Sequence, residues 1–203
     1  MARNIQPVVK RCRALGISPA TLGYTSHSKQ NSQKRFANVQ RGKKKSEYAM
    51  QLAEKQKVKF IYGVLEKQFH GYFELANKKK GVTGDNLLAI LESRLDNVVF
   101  RLGWGITRAD ARQLVTHGFF TVNGKRVDIP SYLVSANDVI EVAEKYKTNA
   151  RIENILNATE GRIVPAWLSA DRDALKATVV EMPKREDVDF EVQEHLIVEL
   201  YSK

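Results

Sequence analysis

The sequence predicts an α+β fold, because its apolar residues follow two different spacings along the chain. From residue 47 to residue 116, apolar side chains recur every three or four positions, which is typical of amphipathic helices. From residue 119 to residue 142, short β-prone runs flank turn signals, which indicates strands. The 203 residues, 43% of them apolar, are enough to bury a core.

Residues 1–46 are predicted to form a basic N-terminal extension rather than part of the core. Eleven basic residues precede the first acidic residue, Glu47. The first 80 residues carry 18 basic and 4 acidic residues, a net charge of +14, whereas the whole chain carries +10. Such a concentration of one sign repels itself unless a polyanion is bound. Nucleic acid is the first candidate, and an anionic membrane surface, a transit peptide and a solvated tail are alternatives. The candidate contacts in its terminal basic run are Arg41, Lys43, Lys44 and Lys45.

Residues 47–80 are predicted to be helical, with Ser46 as the N-cap and a bend or helix junction at Gly63. The aromatic side chains of this stretch fall at helical spacing, which favours a role in the core over stacking on bases. Several lysines largely avoid the apolar stripe, so they are candidates for phosphate contacts. They are Lys55, Lys57 and Lys59.

Residues 83–103 are predicted to form one further helix. Thr107 then opens a short helix, with Asp110 three residues later in an arrangement close to a capping box. The dipeptide Asn123-Gly124 is the strongest short hairpin signal, and β-prone residues lie on both sides of it. The segment 94–142 is therefore predicted as helix, helix, hairpin and strand, the last at 139–142.

The C-terminal quarter is predicted to contain a helix at 151–160, a strand at 178–181 and an amphipathic helix at 192–201. Trp167 and Leu168 are expected to be buried. The chain has one cysteine, Cys12, which excludes an internal disulfide framework and any cysteine-rich metal site.

The basic residues of the predicted helix–helix–hairpin could surround one groove. Arg108 and Arg112 are four residues apart and share a helix face, and guanidinium groups suit phosphates because each offers a planar fork of donors. The alternative is a neutral surface network, because residues 81–147 carry eight basic and eight acidic residues. In that network, Arg101 and Arg108 pair with Asp96, Asp110 or Asp128. The groove candidates are Arg101, Arg108, Arg112, Lys125 and Arg126.

Four segments resemble one known family, in order and in spacing. Residues 93–142 (SRLDNVVFRLGWGITRADARQLVTHGFFTVNGKRVDIPSYLVSANDVIEV) resemble the RNA-binding domain of the S-four family of small-subunit ribosomal proteins. The flanking segments YAMQLAEKQKVKFIYGVLEKQFHGYF (48–73), TGDNLLAILESRLDNVV (83–99) and EHLIVELYSK (194–203) are similar to other parts of the same family. The resemblance spans residue 46 to the end.

The resemblance implies a structural constituent of the small ribosomal subunit and not an enzyme. It implies a primary binder of small-subunit ribosomal RNA, at a multi-helix junction of the 5′ domain, that helps nucleate subunit assembly and contributes to translational accuracy. Its implied neighbours are small-subunit proteins three and five, and messenger RNA where it enters the subunit. The expected location is the cytoplasm, in the ribosome, and a plastid ribosome is left open.

The resemblance also implies a helical domain, 47–93 completed by 184–203, into which an RNA-binding domain, 94–183 with a core at 94–142, is inserted. By position it assigns RNA contacts to Thr107, Arg108, Arg112, Gln113, His117, Asn123, Lys125 and Arg126. Many relatives hold zinc through an N-terminal cysteine cluster, but this chain has Val9 where C-x-x-C would need a cysteine before Cys12. A structural zinc site needs about four ligands, so the chain resembles the zinc-free type, and neither a metal nor a cofactor is expected.

Two other classes compete with this interpretation. One is an enzyme that modifies RNA or charges transfer RNA and merely carries the RNA-binding domain. The chain shows neither a G-x-x-x-x-G-K-[ST] phosphate loop nor an H-x-E…C-x-x-C deaminase pattern, and its four histidines are scattered. The other is a small stress-related factor that binds ribosomal RNA, but such chains are shorter and lack the matching ends.

Overall fold

A computed structural model describes residues 7–24 and 46–202. The predicted RNA contacts Arg41, Lys43, Lys44 and Lys45 lie outside the described residues. The described part of the chain forms two compact units. Unit one comprises the residues up to Gly84 together with those from Asp189 onward, and unit two comprises Asp85–Val188.

Unit one is helical in its described residues. Ser46 caps the first long helix as predicted, since its Oγ accepts a hydrogen bond from the Ala49 N–H at 3.3 Å. Gly63, with φ +63°, separates this helix from the next, which confirms the predicted junction. The helices are α1 (Val8–Leu15), α2 (Glu47–Ile61), α3 (Glu66–Lys78) and α9 (Glu194–Tyr201), with a 3₁₀ turn at Pro19–Leu22.

The prediction that residues 1–46 build no core is wrong for residues 8–22. Helix α1 lies against α2, and the side chains of Cys12, Ile17 and Leu22 are 0%, 6% and 7% exposed. Arg11 also donates to the side chain of Gln56 on α2 at 3.3 Å. The apolar face of α1 is only two turns long, and basic residues lie between its apolar side chains in the sequence. Composition alone therefore does not reveal this face.

Unit two contains a helical break that the sequence pattern does not show. The predicted helix over 83–103 is divided into α4 (Thr83–Glu92) and α5 (Leu95–Arg101). At the break, Arg94 adopts an extended conformation and forms an antiparallel bridge with Leu133. The Leu95 N–H donates to the Tyr132 carbonyl at 2.8 Å. The break therefore depends on a chain segment about 40 residues away, while the apolar stripe continues through it.

The rest of unit two is one antiparallel sheet with helices. Asn123 and Gly124 form the predicted hairpin turn, and both have a positive φ, of 50° and 76°, as the tightest hairpin turns require. The strands, in the sheet order β2-β1-β3-β5-β4, are β1 (Phe120–Val122), β2 (Lys125–Arg126), β3 (Val139–Val142), β4 (Leu168–Asp171) and β5 (Lys176–Val179). The remaining elements are α6 (Arg108–Thr116), α7 (Glu144–Lys147), α8 (Ala150–Ala158) and a 3₁₀ turn at Arg185–Asp187.

An apolar core packs α5, α6 and α8 against the sheet of unit two. Trp104, from the turn between α5 and α6, stacks parallel to Phe120 of β1, with ring centroids 5.9 Å apart. Trp167 and Leu168 are 3% and 5% exposed, as predicted, although the sequence did not indicate that β4 begins there. The helices and the small antiparallel sheet confirm the α+β class.

Gly105 is a point where the backbone of the α5–α6 turn meets α6. A Cβ atom at residue 105 would lie 2.7 Å from the Cβ of Ala111 and 2.8 Å from its Cα. Because these are atoms at the start of a packed helix, we expect Gly105→Ala to lower the free energy of unfolding of unit two by about 1–3 kcal/mol. Urea unfolding followed by tryptophan fluorescence measures this, since both tryptophans, Trp104 and Trp167, lie in unit two.

Gly161→Ala is the matched control. A Cβ atom at residue 161 would meet nothing within 4 Å, and no positive φ is recorded there. Its unfolding free energy should stay within about 0.5 kcal/mol of the parent or rise slightly. Equal losses in the two variants would show that the turn does not pack against α6 as described.

Candidate nucleic-acid interface

Helix α6 begins at a closed cap. The Thr107 Oγ1 accepts a hydrogen bond from the Asp110 N–H at 3.1 Å. The Asp110 Oδ2 in turn accepts from the Ile106 N–H at 3.1 Å. The predicted pattern close to a capping box is therefore present, and both side chains are already committed to the helix terminus.

Two of the groove arginines, Arg101 and Arg108, are buried. Each keeps only 6% of its surface exposed. Arg101 binds both carboxylate oxygens of Glu92, with Nη2 at 2.7 Å and Nε at 3.0 Å. Arg108 donates from Nε to the Asn97 Oδ1 at 2.9 Å, and Asn97 donates to the Glu92 Oε2 at 2.6 Å. One buried carboxylate therefore connects α4, α5 and α6.

A second buried carboxylate, Asp96, repeats the arrangement. Arg94, which is 0% exposed, binds it through Nε at 3.0 Å and Nη2 at 2.5 Å. Arg112 of α6 binds the same Oδ2 at 3.0 Å, and its side chain is 14% exposed. Two guanidinium groups thus share a single carboxylate, so this pair of contacts leaves an excess positive charge next to α6.

The structure differs from both predictions for these arginines, the open basic groove and the neutral surface network. Arg101 and Arg108 join helices rather than line an open surface. The alternative network is also different from the one expected, because Arg101 binds Glu92 and Arg108 binds Asn97. The expected carboxylate Asp96 takes part, but it binds Arg94 and Arg112, and the network is buried. Asp110 pairs instead with Arg151, at 2.6 Å. The physical reason is that the end of α4 and the start of α5 direct their carboxylates toward α6.

The remaining predicted contacts of unit two lie on its surface. Arg126 lies over Gly118, where a Cβ atom would be 2.1 Å from its Nε, and it donates to the His117 carbonyl at 3.4 Å. Asn123 is committed to its turn, since it donates to Asp138 at 2.8 Å and accepts from the Val139 N–H at 2.9 Å. We call the exposed set the hairpin edge; its members are Gln113, His117, Lys125 and Arg126.

The three predicted lysines of unit one are largely covered and paired. Lys55 and Lys59 both bind Glu66, at 3.0 and 2.5 Å, and Lys57 binds Glu54 at 2.6 Å. Their side chains are 12–20% exposed. Tyr201 of α9 also donates to Glu66, at 2.7 Å, and its ring stacks on Phe73 with centroids 4.6 Å apart. This cluster attaches the C-terminal helix to α2 and α3.

The ionisation of Glu66 depends on this cluster. Partial burial acts to raise its pKa, but hydrogen bonds from Lys59, Tyr201 and Lys55 outweigh it and lower the pKa to about 2. Burial and the hydrogen bond to Glu66 raise the pKa of Tyr201.

Sequence reasoning missed two arginines in unit two. Arg94 is two residues from Asp96, and residues at that spacing do not face each other in a helix, so the expected continuous helix concealed the pair. Arg162 binds the backbone of the α5–α6 turn, some 60 residues earlier, and no local pattern signals such a contact.

Over 7–24 and 46–202, no group of three or more His, Cys, Asp or Glu side chains is arranged to hold a metal ion. Within the same ranges, every helix is too short or too polar to cross a membrane.

Removing the Glu92 charge should destabilise unit two strongly. Glu92→Gln leaves Arg101 buried beside a neutral amide, and we expect a loss of about 3 kcal/mol in urea unfolding monitored by tryptophan fluorescence. Glu144→Gln is the control, because it removes a carboxyl that is 87% exposed and paired with Lys147, and it should change stability by under about 1 kcal/mol. Similar losses in the two variants would contradict a buried network.

The cluster around Glu66 should make the stability of unit one depend on acid pH. Because its folded pKa lies below the unfolded value, Glu66 stabilises the fold above about pH 4.5 and loses that contribution as pH falls toward about 2. We therefore expect the melting temperatures of the parent and of Glu66→Gln, followed by far-UV circular dichroism, to converge over that range. Tyr201→Phe, which removes one donor, should show a smaller gap that closes in the same way. A gap that stays constant from pH 6 to about pH 2 would contradict this assignment.

The chain is similar to known proteins over its whole length. Residues 3–92 match the family described as ribosomal protein S4/S9 N-terminal domain, and residues 93–140 match the S4 domain. Proteins from Agathobacter rectalis and Lachnospira eligens are each 56% identical over 203 residues, with all of both chains covered. A protein from Lachnoclostridium phytofermentans is 57% identical over 204 residues, again with complete coverage. All three are named small ribosomal subunit protein uS4. These matches confirm the resemblance found in the sequence, and the chain belongs to the uS4 family of small ribosomal subunit proteins.

Proposed function

We propose that this protein is a structural constituent of the small ribosomal subunit and that it binds small-subunit ribosomal RNA. The observation that carries the proposal is the match over the whole chain to relatives that are named as proteins of that subunit. The family is a family of ribosomal proteins rather than of enzymes, so no reaction is assigned to any side chain.

The geometry of unit two supports two different roles for the predicted RNA contacts. Gln113, His117, Lys125 and Arg126 are exposed and form the hairpin edge, which is the part that a phosphate backbone can reach. Arg101 and Arg108 hold α5 and α6 in place behind it. A rigid basic surface of this kind is sufficient for structured RNA, which is read largely through its shape, phosphates and 2′-hydroxyl groups.

The basic residues of unit one would supply attraction that does not depend on RNA sequence. Lys55 and Lys59 share one carboxylate, so their pairing leaves one positive charge uncompensated within that cluster. We propose that the basic run of Arg41, Lys43, Lys44 and Lys45 adds to the same attraction for the RNA phosphates. Lys57 is compensated by Glu54 and contributes less.

The finer features of the family resemblance are part of the same proposal. The RNA target would be a multi-helix junction of the 5′ domain, bound early enough to help nucleate subunit assembly. The neighbours would be small-subunit proteins three and five, and messenger RNA where it enters the subunit, with an effect on translational accuracy. The proposed location is the cytoplasmic ribosome, and the proposed division is a helical domain, completed by the C-terminal segment, into which the RNA-binding domain is inserted.

A direct test is binding of the full-length protein to a naked small-subunit ribosomal RNA transcript. Filter binding over a range of salt concentrations should show specific, salt-dependent affinity, and footprinting should protect one compact region. Co-sedimentation with small subunits should resist a mild salt wash. Binding no tighter than to an unrelated structured RNA of equal length would contradict the proposal.

The hairpin edge has a specific prediction. Lys125→Ala combined with Arg126→Ala should weaken RNA binding and reduce the slope of log K against log salt, by up to about 0.9 for each lost phosphate contact on a duplex. The matched control is Lys145→Ala combined with Lys147→Ala, which removes two positive charges from α7 of the same unit and should leave the slope nearly unchanged. Equal changes in slope in the two variants would show that the hairpin edge is not the contact surface.

A further inference from the structure

The turn between α5 and α6 is held by side chains from a distant segment of unit two. The Thr159 Oγ1 donates to the Gly103 carbonyl at 2.6 Å. Arg162 donates from Nη1 to the carbonyls of Phe100 at 2.8 Å and Gly105 at 2.7 Å, and from Nη2 to the Ile106 carbonyl at 2.8 Å. Residues 159–162 thus bind four carbonyl oxygens within and just before a single turn.

The contacts of Arg162 require a guanidinium group. Two nitrogens held apart in one plane reach the three carbonyls. The three donors of lysine all leave a single nitrogen, so they do not reproduce these positions. The Arg162 Cζ also lies 4.2 Å from the centroid of the Phe100 ring, and the Arg108 Cζ lies 4.3 Å from the same centroid. Burial, together with the neighbouring guanidinium groups of Arg108 and Arg101, lowers the pKa of Arg162 to about 10, so it remains charged at neutral pH.

Arg162 is itself supported from the sheet. Arg172, in the connection between β4 and β5, donates from Nη1 to the Glu160 carbonyl at 2.7 Å and from Nη2 to the Arg162 carbonyl at 2.9 Å. The order of support therefore runs from the β4–β5 connection to residues 160–162 and then to the α5–α6 turn.

These successive hydrogen bonds end at the first turn of α6. The peptide unit that follows Ile106 contributes its carbonyl to Arg162, while the Ile106 N–H is bound by the Asp110 carboxylate. The next residue is Thr107, the N-cap of α6. Gly105 lies against Ala111, so a shift of this turn has to move α6 as well.

We propose that Arg162 is a positioning residue for RNA binding, which holds the α5–α6 turn and thereby the orientation of α6 before RNA arrives. The inference rests on the proposed function, because it concerns the surface that α6 and the hairpin edge present to RNA. Its physical basis is preorganisation: a turn that is already ordered does not have to be ordered at the expense of binding free energy.

Arg162→Lys and Arg162→Met test the proposal in the full-length protein. Lysine keeps the charge but not the fork, and methionine keeps much of the stem but neither charge nor donors. We expect both to weaken binding to the small-subunit ribosomal RNA transcript by a similar factor, about tenfold, with the salt slope unchanged. Hydrogen exchange should quicken at residues 102–107 in both free variants. Lys176→Met, which removes a charge from β5 of the same unit, is the control and should change neither quantity.

Two further variants keep the test decisive if either Arg162 variant unfolds. Thr159→Val removes one donor to the same turn while preserving the branched shape, and Arg172→Met removes the support of residues 160–162. Both should weaken RNA binding in the same direction as the Arg162 variants, by a smaller factor and without a change in salt slope.

Each other outcome overturns the inference. If Arg162→Lys retains affinity while Arg162→Met loses both affinity and slope, Arg162 contacts phosphate directly. If the variants are folded, as judged by tryptophan fluorescence, and bind RNA as tightly as the parent, Arg162 serves the fold alone. If the parent itself does not bind the transcript, the proposed function fails and the inference fails with it; measuring the parent first distinguishes this result from a failure of the inference alone.

Discussion

Two carboxylates buried among helices, those of Glu92 and Asp96, are the constraint on which unit two depends. A carboxylate removed from water is stable only when charged donors surround it, and here arginines from different elements supply them. Apolar side chains tolerate several packings, but paired hydrogen bonds of fixed length tolerate few. The positions of α4, α5 and α6 relative to one another are therefore constrained by these ion pairs and hydrogen bonds in addition to apolar packing.

This constraint also changes what the charge distribution means. The segment 81–147 has no net charge, yet within it the guanidinium groups gather beside α6 while most carboxylates lie elsewhere. Together with Arg162, these side chains are five guanidinium groups and two carboxylates, a positive excess that the composition of the segment averages away. The side chains are Arg94, Arg101, Arg108, Arg112, Arg162, Glu92 and Asp96. A field of this sign behind an exposed basic edge favours an approaching polyanion.

Features with a local cause could be predicted from the sequence, and features with a distant cause could not. The Asn123-Gly124 turn and the Ser46 cap are properties of a few adjacent residues, so their patterns sufficed. The break at Arg94 and the strand at 168–171 depend on partners about 40 and 10 residues away. Arg108 and Arg126 are alike in sequence terms, and only packing decides that one is buried and the other exposed. The region of the candidate RNA site thus stays a prediction from the sequence, while the packing roles of its arginines required the structure.

The docking of α1 has a practical consequence through its cysteine. Cys12 holds the only thiol in the chain, and burial both hides it and raises the pKa of the thiol, which keeps it in the unreactive protonated form. Its rate of alkylation therefore reports the fraction of time that α1 is detached from α2. Alkylation of the natural cysteine therefore measures the opening of the N-terminal helix, with or without RNA and without an engineered probe.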